Sequence, residues 1–271
     1  MISGKPPMTP RSPRVAEAVK LLRRTERTAA GRFLAEGPNL VEAACRAGLV
    51  QAVFATEASV QRYRSILQGI TVYTCTETAM TALSETVTPP GLVAVCTLPG
   101  TSVDEALAGN PALVAVGVGI ADPGNAGTLI RLADAMGAGA VFFTGEAVDP
   151  YNGKCVRSSA GSIFDIPVLL APDTDDLLRR LRTAGLQILA TTVTGGDLSL
   201  DDADAVLSTP TAWLFGQESR GLPGDVAAQA DRRVTIPMSG CAESLNVAIA
   251  AGICLYQSAR ARRLTGSGAQ R

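Results

Sequence analysis

The chain has 271 residues, of which 46% are hydrophobic and 18% charged; a chain of this balance folds around one or two cores, which excludes global disorder. Its 24 Lys and Arg against 25 Asp and Glu leave a net charge of −1, so the total alone gives no strong draw to polyanions. It contains no histidine, which excludes Ser-His-Asp and Cys-His catalysis and every His-containing metal site, and leaves carboxylates, Arg, Lys, Tyr, Cys or the substrate for proton transfer.

The charge is uneven. Residues 1–36 carry Lys5, Arg11, Arg14, Lys20, Arg23, Arg24, Arg27 and Arg32 against Glu17, Glu26 and Glu36, a net +5. The last twelve residues add Arg260, Arg262, Arg263 and Arg271 with no acid. Two basic ends on a neutral body read as a polyanion footprint or as solvated helix faces. The N-terminal cations are not followed by the apolar core of a signal peptide. The longest apolar run, Ala112–Ala121, is shorter than the roughly 20 residues a membrane span needs. Cys45, Cys75, Cys96, Cys155, Cys241 and Cys254 form no C-x-x-C pair, so buried free thiols are expected rather than a zinc knuckle or a disulfide framework. The sequence predicts a soluble, cytoplasmic protein without a metal.

In chain order, residues 14–30 predict one helix, with Val15, Ala18, Val19 and Leu22 between the cations. Phe33–Ala35 predicts a short strand ended by Gly37-Pro38, and Asn39–Ala47 a helix ended by Gly48. A strand over Val50–Ala55, a helix over Ser59–Leu67, a strand over Ile70–Cys75, a helix over Thr76–Leu83 and a strand over Leu92–Leu98 follow. Residues 1–100 thus read as a small α/β domain. The Pro-Gly-Thr-Ser run from Pro99 and the Gly-Asn-Pro run ending at Pro111 mark a linker, with the boundary between Pro99 and Pro111.

Residues 110–271 alternate again. Strands are predicted at Leu113–Val118, Ala140–Thr144, Val168–Ala171, Gln187–Thr192, Ala212–Phe215 and Val234–Ile236, and helices at Thr128–Met136, Asp173–Ala184 and Ser244–Arg263. Short continuous apolar strands indicate a parallel sheet covered on both faces, which binds ligands beyond the C-terminal ends of its strands.

Four clusters fall near those ends. After the first strand, Asp122-Pro123-Gly124 predicts a turn and Asn125 an N-cap, with Gly127 and Arg131 on one helix face. A surface ion pair from Arg131 to Asp134 is the plainer reading of that arginine. The second cluster, Lys154 to Ser162, places Lys154 and Arg157 on one face among Ser and Gly, where phosphate contact or a plain surface turn both fit. The third runs from Leu214 through Gly216 and Glu218 to Gly221, a carboxylate between two glycines. In the fourth, the strand reaching Pro237 leads through Met238–Glu243 to Ser244, a natural N-cap, and to Asn246 in the first turn of an apolar helix, where a polar group is expected to be buried and used. Gly117 and Gly119 begin a dinucleotide fingerprint, but Asp122 stands at its third glycine, and no P-loop is present.

In this order, N-x-G-x-x-x-R (Asn125 to Arg131), K-x-V-R-x-S-x-G (from Lys154), F-G-x-E-x-x-G (Phe215 to Gly221) and I-P-M…S-L-N-V (Ile236 to Val247) resemble the SpoU/TrmH family of the SPOUT superfamily, S-adenosylmethionine-dependent RNA ribose 2′-O-methyltransferases. The stretches Arg23 to Pro38 and Ser84 to Val95 resemble that family's ribosomal-protein-like substrate-binding domain. The resemblance implies an α/β fold with a trefoil-knotted parallel-sheet domain, a homodimer with its active site at the interface, and an RNA substrate, 23S rRNA before tRNA. It implies a catalytic set of Arg131, Asn125, Glu218, Ser244 and Asn246. It implies S-adenosylmethionine against Thr191, Thr192, Leu214, Gly216, Gly221, Ile236, Met238, Ser244 and Leu245, with Ile236, Met238 and Leu245 at the adenine. Ser219 replaces a frequent glycine of the family. Arg23, Arg24, Arg32, Lys154 and Arg157 are the expected RNA contacts. With 4% aromatic residues, shape and backbone reading is expected before base stacking. The competing readings are a tRNA substrate, a non-catalytic RNA-binding protein and a nucleotide-dependent oxidoreductase; the broken glycine fingerprint opposes the last.

Overall fold

The computed structural model describes residues 6–217 and 220–268, and it divides the chain into two compact units. The first comprises residues 1–100 and 151–165; the second comprises 101–150 and 166–271.

The first unit begins with α1 (Pro13–Lys20) and α2 (Arg24–Ala30). They are two helices where the apolar spacing predicts one. The break has a side-chain cause: Arg27 is buried and its Nη1 donates to the carbonyls of Leu21 (2.9 Å) and Leu22 (2.8 Å), which frees the chain to turn at the end of α1. Next come β1 (Arg32–Glu36), α3 (Pro38–Arg46), β2 (Val50–Ala55), α4 (Glu57–Arg62), β3 (Val72–Thr74), α5 (Glu77–Leu83) and β4 (Leu92–Thr97). Helix α4 starts before the predicted Ser59, because Thr56 accepts from the Ser59 amide as its N-cap. The sheet order is β1-β4-β2-β3, antiparallel except for the β2–β3 pair.

The second unit opens with α6 (Val103–Leu107), whose Ser102–Glu105 capping box lies inside the expected linker. It continues with β5 (Leu113–Val118), α7 (Pro123–Ala135) and β6 (Ala140–Thr144). The chain then returns to the first unit for α8 (Gly153–Ser158). Spacing within the Lys154 cluster does not reveal this excursion, since the partners are remote in sequence. The Phe33 ring centroid lies 4.9 Å from that of Tyr151 and 5.9 Å from that of Phe164. Arg157 meets Glu36 at 3.1 Å and Glu85 at 3.7 Å, and the buried Glu36 also accepts from Ser84 and Thr86. A buried carboxylate persists because each of its oxygens is satisfied in this way.

Back in the second unit follow β7 (Val168–Leu170), α9 (Thr174–Thr183), β8 (Gln187–Thr192), β9 (Leu198–Ser199), α10 (Asp204–Leu207), β10 (Thr211–Phe215), α11 (Gly224–Ala227), β11 (Arg232–Thr235) and α12 (Val247–Gly268). The seven strands are parallel in the order β7-β6-β5-β10-β8-β11-β9. The two-residue β9 is too short to carry a period-2 signal in the sequence; pairing with β11 creates it. The central strands β5, β6 and β10 are buried throughout, as a sheet covered on both faces requires. Trp213, the largest fully buried side chain, donates from Nε1 to Ser258 on α12 at 2.8 Å. That bond satisfies both polar groups and fixes the last helix on the sheet. Burial pushes the thiols of Cys96 and Cys254 far above their usual range, and that of Cys75 to about 11. Among the described residues no helix is long and apolar enough to cross a membrane.

Candidate active site

Neighbouring parallel strands end together, so the loops that leave them converge. In the second unit β8 lies between β10 and β11, with Leu214 opposite Ala190 and Val234 opposite Thr191. Their C-terminal loops and the start of α12 enclose a cleft of about 530 Å³. Thr191 and Thr192 come from the end of β8, Gly216 and Gly221 from the loop after β10, and Ile236, Met238, Ser244 and Leu245 from the segment after β11. Eight of the nine residues expected at the cofactor therefore line one cleft. Leu214 is the exception: it is fully buried, and only its carbonyl takes part, accepting from Thr191 Oγ1 at 3.1 Å. Met238 is 36% exposed, so the apolar residues of this segment form a wall rather than core.

The loop after β10 has a defined shape. Gln217 and Gly221 exchange both backbone hydrogen bonds (3.1 and 2.8 Å), and Gly221 sits at φ +66°. Gly216 packs so closely on this loop that a Cβ there would overlap the backbone of Gly221 and Leu222. Glu218 and Ser219, inside this loop, lie outside the described residues. At the edge of the cleft, Arg233 grips Asp197 through its backbone amide, Nε and Nη2 (2.9, 3.3 and 2.8 Å). The guanidinium hydrogen bonds, first among the causes, hold the Asp197 carboxyl down to about 2.

Two caps differ from the sequence reading, and both changes bear on the site. Asp122, not Asn125, caps α7: its Oδ1 accepts from the Asn125 amide at 2.9 Å, with Pro123 at the first helical position. Asn246, not Ser244, caps α12: its Oδ1 accepts from the amides of Ala248 (2.9 Å) and Ile249 (3.3 Å). Asn246 is exposed rather than buried, because a cap stands outside the helix it starts. Its Nδ2 then donates to Asn125 Oδ1 at 3.0 Å, which ties the start of α12 to the first turn of α7. Both asparagines of the expected catalytic set thus meet, and Asn246 is flanked by the cleft residues Leu245 and Val247. Replacing Asn246 by alanine removes the cap and this bridge. The expected result is a loss of about 1 kcal/mol of stability, measured by urea unfolding, with a far larger proportional loss of activity.

Arg131 lies six residues beyond Asn125 on α7. It is exposed, and among the described residues it makes no ion pair, with Asp134 or otherwise. Ser244 is exposed within the cleft lining.

The expected RNA contacts fare differently. Arg24 and Lys154 are exposed, while Arg23 pairs with Glu26 (3.6 Å), Arg32 with Glu17 (2.7 Å) and Arg157 with two glutamates. Sequence charge alone does not reveal such neutralisation, because Glu17, Glu36 and Glu85 meet these arginines only in the fold. Charged cleft residues that the motifs miss are Arg220 and Glu243, in the third and fourth loops, and Arg233, on β11.

Comparison with known proteins adds an independent line. The profile described as the SpoU rRNA Methylase family matches residues 112–256, and that of an MRM3-like substrate binding domain matches residues 12–94. The chain is 35% identical over 245 residues to a 23S rRNA (guanosine(2553)-2′-O)-methyltransferase, RlmP, of Bacillus subtilis, covering 90% of this chain and 94% of that one. The crystal structure of the SpoU methyltransferase AviRb from Streptomyces viridochromogenes in complex with AdoMet is similar with a TM-score of 0.84 and 32% identity, over 93% of this chain and 99% of that one. An AdoMet-bound rRNA methyltransferase from Sinorhizobium meliloti is similar with a TM-score of 0.77 and 30% identity, over 92% and 95%.

Proposed function

The chain belongs to the SpoU rRNA methylase family and is an S-adenosylmethionine-dependent RNA 2′-O-ribose methyltransferase; from that premise we propose that it modifies 23S rRNA in the cytoplasm, as a homodimer, with Arg131, Asn125, Glu218, Ser244 and Asn246 at the reacting nucleotide. The observation that carries the reading is the single cleft lined by eight expected cofactor residues, with the Asn246–Asn125 bond beside it.

The cleft suits the cofactor on its own chemistry. Its volume lies in the range of small-molecule sites. Ile236, Met238 and Leu245 offer an apolar wall for an adenine, while Thr191, Thr192 and Ser244 offer hydroxyls for its ribose. S-Adenosylmethionine supplies the methyl group as a sulfonium. The protein's part is placement and electrostatics. A ribose 2′-hydroxyl becomes a nucleophile only as it loses its proton, and the Arg131 guanidinium would stabilise the negative charge that develops on the oxygen. Asn246 has its carbonyl committed to two helix amides and its amide nitrogen to Asn125, so the pair is pre-positioned at low entropic cost. The knotted threading that the family resemblance implies belongs to the same proposal.

The homodimer reading rests on surface chemistry. Ile249 (55% exposed) and Tyr256 (51%) present an apolar face on α12, continuous with a shallow groove that also includes Leu132 and Ile253. Arg131 immediately precedes Leu132, so a second chain seated there would bring its own site to the arginine. Replacing Ile249 and Tyr256 by glutamate is expected to give a monomer in sedimentation and to abolish turnover. A double variant that stays dimeric and active would contradict this arrangement.

The substrate is tested with labelled S-adenosylmethionine and total rRNA or total tRNA from a strain lacking the gene. Label in 23S rRNA and not in tRNA is expected; label in tRNA alone would replace the rRNA assignment.

A further inference from the structure

We propose that the N-terminal unit holds a nucleotide-sized site for one unpaired residue of the RNA, in the cleft between α1, α4 and the β3 edge. The proposal rests on the RNA-methyltransferase reading for its ligand class, and on the following geometry for its place.

The cleft has a volume of about 690 Å³ and contains Arg14, Gln61, Arg64 and Tyr73 above an apolar floor that includes Leu67 and Ile70. Among the described residues, none lining it is acidic. Most other arginines of this unit with a defined partner are already neutralised: Arg23, Arg32, Arg46 and Arg157 each meet a carboxylate. Arg14 and Arg64 meet none among the described residues. Two uncompensated guanidiniums in one concave, acid-free cleft favour an anionic ligand.

The tyrosine narrows the class further. One side of Tyr73 packs on Phe54, with ring centroids 5.4 Å apart, and the Arg14 guanidinium carbon lies 4.6 Å from the Tyr73 ring centroid. The ring therefore acts as a prop for the guanidinium, which a cation–π contact holds in place. A planar guanidinium so held is a stacking surface for a splayed-out base, a recurrent mode of single-strand RNA recognition. Arg64, exposed at the rim, fits the phosphate, and the Gln61 amide can both donate to and accept from a base edge. A duplex offers no free base plane to such a site. On this proposal, few aromatic residues do not exclude stacking, because an arginine provides the plane.

The test uses the full-length chain and two fluorescent probes, hexauridylate and a short RNA duplex, read by anisotropy across a salt series. S-Adenosylmethionine affinity and Tm serve as controls for folding. Arg14→Lys keeps the charge but loses the plane, so it is expected to weaken hexauridylate binding about tenfold with the salt slope unchanged. Arg64→Gln is expected to lower the salt slope by about 0.7, the value of one single-strand phosphate contact. Duplex binding should be insensitive to Arg14→Lys. The proposal is overturned if wild type does not bind hexauridylate, if both variants bind it like wild type, or if Arg14→Lys weakens both probes equally. Methyl transfer by the wild type is measured in parallel. Loss of hexauridylate binding in the variants beside an inactive wild type would keep the cleft and remove the enzymatic reading; active wild type with unaffected variants would do the reverse.

Discussion

Replacing Arg131 by alanine is expected to lower kcat about 10³-fold and to leave S-adenosylmethionine binding close to wild type. The magnitude follows from the role proposed for it: removing one preorganised donor to a developing oxyanion costs roughly 3–4 kcal/mol, which is a factor of 10²–10³ in rate. The arginine is suited to that task because it is exposed and, among the described residues, no carboxylate pairs with it. It is not among the residues of the cleft, so cofactor affinity should not report its loss. Stopped turnover with intact binding, read by single-turnover methylation and isothermal titration, is the expected pair of results. Wild-type rates in this variant would remove Arg131 from the mechanism.

The second large effect is expected at Gly216. A methyl group there would overlap the backbone of Gly221 and Leu222, so the loop between them must move. Forced overpacking typically costs about 1–3 kcal/mol. A displacement of roughly 1 Å in a positioning loop costs about 100-fold in rate. Gly216→Ala should therefore lower Tm and cut methyl transfer about 100-fold at fixed cofactor concentration, with weakened S-adenosylmethionine binding. Unchanged Tm and affinity would mean that this loop does not shape the cofactor site. The two variants also test the dimer together. If Arg131 serves the partner's cleft, mixing and refolding Arg131→Ala with Gly216→Ala chains restores up to about one quarter of wild-type activity, because half of the twofold dimers are mixed and each has one intact site. If Arg131 serves its own cleft, the mixture stays inactive.

Much of this architecture is legible in the sequence, for a local reason. The strands at Leu113–Val118 and Ala140–Thr144 have the predicted limits because a sheet covered on both faces demands unbroken apolar runs, and Gln187–Thr192 has them with an apolar centre between polar ends. The residues expected at the cofactor share one cleft because loops leaving the ends of neighbouring parallel strands converge. What is not legible is set at long range. Residues 151–165 leave the second unit because Phe33 takes up Tyr151 and Phe164 and Glu36 takes up Arg157, and nothing near Lys154 announces those partners. The caps differ because Asp122 and Asn246 are as capable as Asn125 and Ser244, and only the fold decides between them. Composition does not show which cations of a basic segment meet a carboxylate: Arg32 and Arg157 do, while Arg14 and Arg64 meet none among the described residues.

The most direct test of the account is the chemical form of the product. 23S rRNA methylated with labelled S-adenosylmethionine is hydrolysed in alkali, which cleaves every linkage whose 2′-hydroxyl is free. Label is expected in an alkali-resistant dinucleotide. Label released wholly in mononucleotides would place the methyl group on a base and contradict the mechanism built on Arg131 and the 2′-hydroxyl.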